Sequence, residues 1–201
     1  LATFGTELYF CTGGLRGILG TGTARMNRYT VARATLGLAH YLKKQYKAPS
    51  VAIAHDSRHG SEEFTQAAAE VLCAEGVKVH VFDTLAPTPM LSYAVRVLHC
   101  SAGVMITASH NPAIYNGYKV YGEDGCQITD HAADLITAEI EQVSYTEATY
   151  LAKSKAMAEG LWLPVGDDVR RNFAQACLFC RPDPTISTPV NVVYTPLHGT
   201  G

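Results

Sequence analysis

Apolar positions along this 201-residue chain switch between a helical period near 3.6 and a strand period of 2, and the switches mark out alternating elements. Thr30 can cap a helix in which Val31, Thr35, Leu38 and Leu42 recur at helical spacing before Pro49 interrupts. Ser50 to Ala54 reads as a short buried strand and is followed by the polar loop His55-Asp56-Ser57-Arg58-His59-Gly60. Ser61 can cap a second helix, with Glu62 and Glu63 in its first turn and an apolar stripe at Phe64, Ala68, Val71 and Leu72, before Gly76 ends it. Val77 to Phe82 predicts a second strand, Pro89 to about Leu98 a helix, Ala102 to Thr107 a third strand, and Gly117 to Tyr121 a fourth. Asp130 to Val143 is helical again. This order predicts a three-layer α/β/α domain around a mixed sheet of about four strands, with functional groups gathered on the loops at strand ends.

Beyond Val143 the pattern weakens, and Tyr145 to Pro164 reads as a connector with fragments of structure. A helix from about Asp167 to Cys180 follows, then a rigid linker, Arg181-Pro182-Asp183-Pro184. Val190 to Tyr194 reads as a fresh strand and Thr195 to Gly201 as the loop after it. A strand and a loop cannot bury a core. The expected organisation is therefore a domain at 1–144, a connector with a helix at 145–189, and the first strand of a truncated second domain at 190–201. A start at Leu1 without Met is expected of a processed or trimmed chain.

Composition narrows the function. At 47% hydrophobic and 17% charged, the chain can bury a sizeable core. A net charge of -2 and the lack of a long basic run argue against nucleic acid or an anionic membrane as partner. No apolar stretch approaches the roughly 20 residues that span a bilayer, and the N-terminus lacks a charged segment leading into an apolar one. The six cysteines, at 11, 73, 100, 126, 177 and 180, are scattered over a chain too large to need staples, and they read as reduced thiols of a cytoplasmic protein. Cys177 and Cys180 have the spacing of a redox or zinc pair, but no second pair accompanies them, so they read as two thiols on a partly buried helix. No N-x-S/T acceptor occurs, in keeping with that compartment.

Three constellations carry candidate chemistry. In Thr107-Ala108-Ser109-His110-Asn111-Pro112 a buried strand delivers a serine beside a small residue, with polar neighbours and a proline lock. Ser109 is either a presented nucleophile or a satisfied turn serine. A hydrolase elbow would need glycine two places before and after it, where Thr107 and Asn111 stand. In Thr12-Gly13-Gly14-Leu15-Arg16-Gly17 the glycines let backbone amides approach an anion and Arg16 adds a guanidinium suited to phosphate, although tight turns use glycine as well. In Asn116-Gly117-Tyr118-Lys119-Val120-Tyr121 a single lysine interrupts an uncharged strand pattern, either as a solvated outward residue or as an acid/base group. His55 and His59 are four apart, yet they sit in a loop with no HExxH context, so a zinc site is not expected.

Taken together, "CTGGLRG" with "RMNRYTVARAT", "AHDSRHGS", "ITASHNP", "NGYKVY" and "VVYTPLHGTG" resemble the α-D-phosphohexomutases, the phosphoglucomutases and phosphomannomutases, over nearly the whole chain. The run "TGGLRGILGTGTARMNRYTV" looks closest to the phosphoglucomutase/phosphopentomutase-type branch. The resemblance implies that Ser109 carries a phosphoryl group, passed to a sugar monophosphate and returned from the bisphosphate intermediate. It further implies that His110 handles protons or contacts sugar, that Lys119 is the general acid/base, and that Arg16 is a phosphate partner. Thr12, Gly13, Gly14 and Asn111 become phosphate- or substrate-binding residues, and Asp56 and Arg58 form a local turn or support the active-site loops. Mg²⁺ and glucose 1,6-bisphosphate are the implied cofactors, with the Ser109 phosphate giving the metal one oxygen ligand. The family takes its other metal ligands from an Asp-Gly-Asp-type loop in a second domain, and no such loop occurs here. Cys11 stands where related sequences usually show glycine. The isolated chain is therefore expected to be inactive without its missing downstream domains. The other reading is a noncatalytic relative acting as a sugar-phosphate-binding or interaction module. Under the mutase reading, the Lys119 strand should pair near the Ser109 strand, so that both groups face one cleft.

Overall fold

The computed structural model describes residues 3–180, 189 and 191–195. Its elements run β1 (Leu15–Ile18), α1 (Arg28–Gln45), β2 (Ser50–His55), α2 (Ser61–Ala74), β3 (Lys78–Val81), α3 (Thr88–Val97), β4 (Ala102–Ile106), β5 (Tyr115–Gly122), α4 (Asp130–Glu141), α5 (Lys153–Ala158), β6 (Trp162–Pro164) and α6 (Asp167–Phe179). The strands form one mixed sheet in the order β1-β5-β4-β2-β3-β6. β2, β3, β4 and β6 pair in parallel, while β5 is antiparallel to both β4 and β1.

Strand alternation divides the sheet between two cores. Ile53, Val104, Ile106, Tyr118 and Val120 pack with α1, α2 and α4, whereas Ala52, Met105 and Tyr121 pack with α3 and Val169 of α6. The result is the expected α/β/α sandwich, but with six strands rather than about four. The two extra strands are β1 and β6, of four and three residues, and both lie at sheet edges. Gly17 interrupts any alternation in β1, and Pro164 closes β6 where an edge position tolerates it. Neither has a period long enough to read, so their pairing with β5 and β3 comes from tertiary contact. The expected connector thus supplies α5, β6 and α6, with Ala156 and Trp162 buried in one core and Val165 and Val169 in the other.

Two helix starts differ from expectation. Asn27, not Thr30, caps α1: its side chain accepts from the Tyr29 and Thr30 amides, and the Thr30 hydroxyl accepts in return from the Asn27 amide. This reciprocal box makes Thr30 the third helical residue rather than the cap. Gly60, with a left-handed φ of 78°, precedes α2, and the Ser61 hydroxyl donates to Asp56 Oδ1 instead of capping the helix. The linker at 181–184, Val190 and residues 196–201 lie outside the described residues. Residues 191–195 form no strand, and Val192, Val193 and Tyr194 are exposed. No helix among the described residues is long and apolar enough to cross a membrane.

Gly37 of α1 packs directly on Ile140 of α4. A Cβ there would lie 2.5 Å from Ile140 Cγ1 and 2.8 Å from its N and Cα atoms. Backbone atoms cannot yield as a flexible side chain would. Alanine gains about 1 kcal/mol of intrinsic helix preference over glycine, yet overpacking costs about 1–3 kcal/mol. Gly37→Ala is thus expected to lower the urea midpoint; a midpoint at or above the parent's would show that the two helices do not pack this closely.

Candidate active site

β4 ends at Ile106, and Thr107 extends its pairing by one residue by donating its amide to Gly117 O at 3.0 Å. Thr107 and Ala108 are still buried, whereas Ser109 is half-buried and takes a left-handed φ of 55°. A non-glycine residue in that region carries strain of about 1–2 kcal/mol, so the surrounding bonds must hold it. The Ser109 amide donates to Thr107 Oγ1 at 2.9 Å, the Asn111 amide to Ala108 O at 3.1 Å, and the Tyr115 amide to Pro112 O at 2.9 Å. Ser109 Oγ is 3.4 Å from Nδ1 of the exposed His110, too long for a strong hydrogen bond.

Arg58, in the loop after β2, closes this turn from below. One of its terminal nitrogens donates to Ser109 O at 2.6 Å and Asn111 O at 2.5 Å, and the other to Pro112 O at 3.0 Å and Tyr115 O at 3.2 Å. Its Nε lies 3.5 Å from the buried Asp56 Oδ2. Asp56 Oδ1 accepts from the Arg58 amide at 3.0 Å and from Ser61 Oγ at 2.8 Å. Asn116 donates to Ser61 Oγ and His59 O and accepts from the Gly117 amide. The expected local turn at Asp56-Ser57-Arg58 is therefore also a brace under the serine loop. The acceptors are backbone carbonyls, which leave no mark in a sequence.

The glycine segment approaches from the sheet edge. Cys11 and Gly14 exchange backbone hydrogen bonds of 3.3 and 2.7 Å, and Gly14 then enters β1 with φ 75°. A Cβ on Gly14 would stand 1.9 Å from Tyr118 O and 2.9 Å from Lys119 Cα, so only glycine lets this turn press on β5. Because the Gly14 amide is committed to Cys11 O, this glycine serves close packing rather than donation to an anion. Gly13 is exposed, and Thr12 is tied in by its carbonyl, which accepts from Gln127 Nε2 at 2.7 Å. Arg16 pairs with Gly117 in the β1–β5 register, and its exposed side chain donates to Asn111 Oδ1 at 3.2 Å. That bond joins the glycine segment to the serine loop.

Lys119 pairs with Met105 across β5 and β4, two places before Thr107. It is half-buried and lines a cavity of about 380 Å³ together with Arg16, Thr107, Cys11, Gly13 and Tyr9. None of the lining residues carries a carboxylate, so the cavity suits an anion. Tyr9 and Gln127 line the cavity without a local sequence signal, and Thr107 of the serine stretch joins them. Only Thr107 had a signal, since it follows Met105 at strand period. A larger cavity of about 780 Å³, lined by Leu19, Met26, Tyr29 and Phe64 among others, is mainly apolar. Size points there, but the grouped cations point to the smaller one.

Among the described residues no group of three or more His, Cys, Asp or Glu could hold a metal ion. His55 is buried with Nδ1 at 2.9 Å from Asp56 O, while His59 is exposed. All six cysteines are free thiols. Cys177 lies on α6, a helix partly buried through Val169, and Cys180 is its C-cap; both thiols are themselves exposed. Burial pushes the Cys73 thiol up to about 12 and the Cys100 thiol up to about 11, which keeps both protonated and unreactive at neutral pH. The Tyr118 phenol, fully buried beside Lys119 in sequence, is likewise raised by burial and accepts from Thr35 Oγ1 at 3.2 Å.

Residues 7–147 match the domain family described as phosphoglucomutase/phosphomannomutase, alpha/beta/alpha domain I. The phosphoglucomutase of Staphylococcus haemolyticus is 40% identical over 198 residues, covering 98% of this chain and 36% of its own length. That of a Staphylococcus epidermidis strain is 42% identical over 200 residues, covering 97% of this chain and again 36% of its own length. The chain thus spans about a third of the curated relatives it matches. Among solved structures, a Thermus thermophilus protein assigned as a phosphomannomutase superposes with a TM-score of 0.64 at 31% identity, over 73% of this chain and 33% of that one. A phosphoglucomutase/phosphomannomutase family protein of Burkholderia thailandensis, at 22% identity, TM-score 0.64 and coverage of 85% and 35%, shares the fold.

Proposed function

We propose, from the premise that the chain belongs to the phosphoglucomutase/phosphomannomutase family, that it is the phosphoryl-carrying part of a phosphosugar mutase that interconverts sugar 1-phosphates with 6- or 5-phosphates. The observation that carries the reading is that Arg16 and Lys119 line one cavity free of carboxylates, while Arg16 reaches through Asn111 to the loop bearing Ser109. In the forward half-reaction the Ser109 Oγ–P bond breaks as a bond forms between phosphorus and a sugar hydroxyl oxygen. The hydroxyl loses its proton to a base and Ser109 Oγ regains one; Lys119 and His110 are the groups proposed for these transfers. Return of the other phosphate from the bisphosphate restores phosphoserine. A dianionic phosphoserine needs positive neighbours, and Arg16 and Lys119 are the cations this reading gives it.

Glucose 1,6-bisphosphate is the proposed activator. Mg²⁺ belongs to the same proposal with a single ligand from this chain, an oxygen on phosphorylated Ser109, and the described residues do not by themselves make its site. The remaining ligands and the sugar-selecting groups are assigned to downstream domains, of which 190–201 is the proposed beginning. A cytoplasmic setting is part of the reading, supported by the six unpaired thiols. The test is intact mass spectrometry and phosphopeptide mapping of the full-length protein carrying this chain, after incubation with glucose 1,6-bisphosphate and Mg²⁺. Phosphate is expected on Ser109 and should disappear on addition of glucose 1-phosphate. An unmodified Ser109 in the folded protein would leave the noncatalytic, sugar-phosphate-binding relative as the better account.

A further inference from the structure

We infer that Arg58 is the positioning residue of the serine loop, setting the backbone that presents Ser109 without itself touching the transferred phosphate; the functional half of this inference rests on the mutase reading. The side chain is only 9% exposed. Its two terminal nitrogens are committed to four carbonyls of the loop, those of Ser109, Asn111, Pro112 and Tyr115, and its Nε faces Asp56. The four hydrogen bonds of the terminal nitrogens thus all go to the loop, while Nε–H lies against Asp56 Oδ2 as an ion pair without a hydrogen bond. Arg16, by contrast, is exposed and among the described residues makes one hydrogen bond, to Asn111. The two arginines divide the work: Arg16 meets the anion, and Arg58 holds the frame.

The frame needs holding because Ser109 sits at φ 55°, a conformation that a non-glycine residue leaves when its neighbours allow. A bond from Arg58 to Ser109 O also fixes the next peptide plane. Since N–H and C=O of a trans peptide point in opposite directions, the His110 amide is turned away from Arg58, and it has no backbone partner among the described residues. Asp56 in turn holds Arg58. Its carboxylate is anchored by the Ser61 hydroxyl and the Arg58 amide, and Ser61 is itself bonded to Asn116, on the same strand as Lys119. One buried network therefore ties the loops after β2 and β4 to β5. Lysine could not replace the arginine, because one compact ammonium cannot span four carbonyls in a planar fork.

The test compares Arg58→Lys with the parent in the full-length protein, reading hydrogen exchange of peptides covering 107–115, the thermal midpoint, and kcat and KM for a sugar phosphate separately. The loop amides are expected to exchange at least about tenfold faster while those of β2 and β4 hold. A misplaced nucleophile should lower kcat by about 10²-fold, with KM changed by less than about threefold. Should Arg58→Lys fail to fold, Asp56→Asn carries the test, with a smaller change of the same sign in both loop exchange and kcat. Loop exchange and kcat at parental values in either folded variant would overturn the inference. Exchange does not depend on turnover, so a parent that never forms phosphoserine would refute the mutase reading while the loop amides still decide whether Arg58 positions the loop.

Discussion

Replacing Ser109 by alanine is expected to lower mutase turnover of the full-length protein by at least about four orders of magnitude, as removal of a covalent nucleophile does elsewhere. Under the proposed mechanism Ser109 is both donor and acceptor, and no neighbour can stand in for it. Thr107 is buried, and its hydroxyl accepts from the Ser109 amide at the foot of the turn. The loss should not come from unfolding. Alanine keeps the Cβ, and with it the strain of the left-handed backbone, so its thermal midpoint should match the parent's. Glycine at 109 should be equally inactive yet more stable by about 1 kcal/mol, because φ 55° costs glycine little. Coupled turnover assays beside thermal melts separate the two effects. Residual activity above about one percent in Ser109→Ala would remove the serine from the mechanism.

The second large effect is expected at Lys119. Changing it to methionine should slow single-turnover phosphoryl transfer by about 10²- to 10⁴-fold, the range for loss of a positioned acid/base group. The aliphatic stem is retained and the residue is only half-buried, so stability should change little. Arginine should not restore the rate. Its guanidinium keeps the charge but neither yields a proton nor fits the position of a compact ammonium. Rapid-quench transfer from phosphorylated Ser109 measures this step directly. A methionine variant within tenfold of the parent would make Lys119 the solvated outward residue that its sequence setting equally allows.

Where such residues could be read from sequence, an unbroken local pattern was the reason. β2, β4 and β5 have runs of five to eight residues with buried or alternating side chains, and all three were legible with errors of a residue or two at their ends. Ser109 and Lys119 stood out because they break those patterns. The helices followed their stripes, but the caps did not: the reciprocal bonds between Asn27 and Thr30 depend on how the chain enters α1. Likewise, the glycines near Gly14 suggested an anion cradle, whereas Gly14 itself is required by a backbone 1.9 Å from where its Cβ would be.

The alternation of helix and strand, the burial of the central strands, and the few polar residues at their ends can be read from the chain. Those are properties of spacing along the chain. Folding, by contrast, makes strands of β1 and β6, since segments of four and three residues gain their order from β5 and β3 rather than from their own period. It alone joined Arg16 to Asn111 across 95 residues, and Arg58 to loop carbonyls 51 to 57 residues away. Spacing cannot reveal either contact: the Asn111 side chain and the loop carbonyls lie far along the chain from their cations, and a backbone carbonyl is the same acceptor in every residue, so folding alone selects which guanidinium each meets.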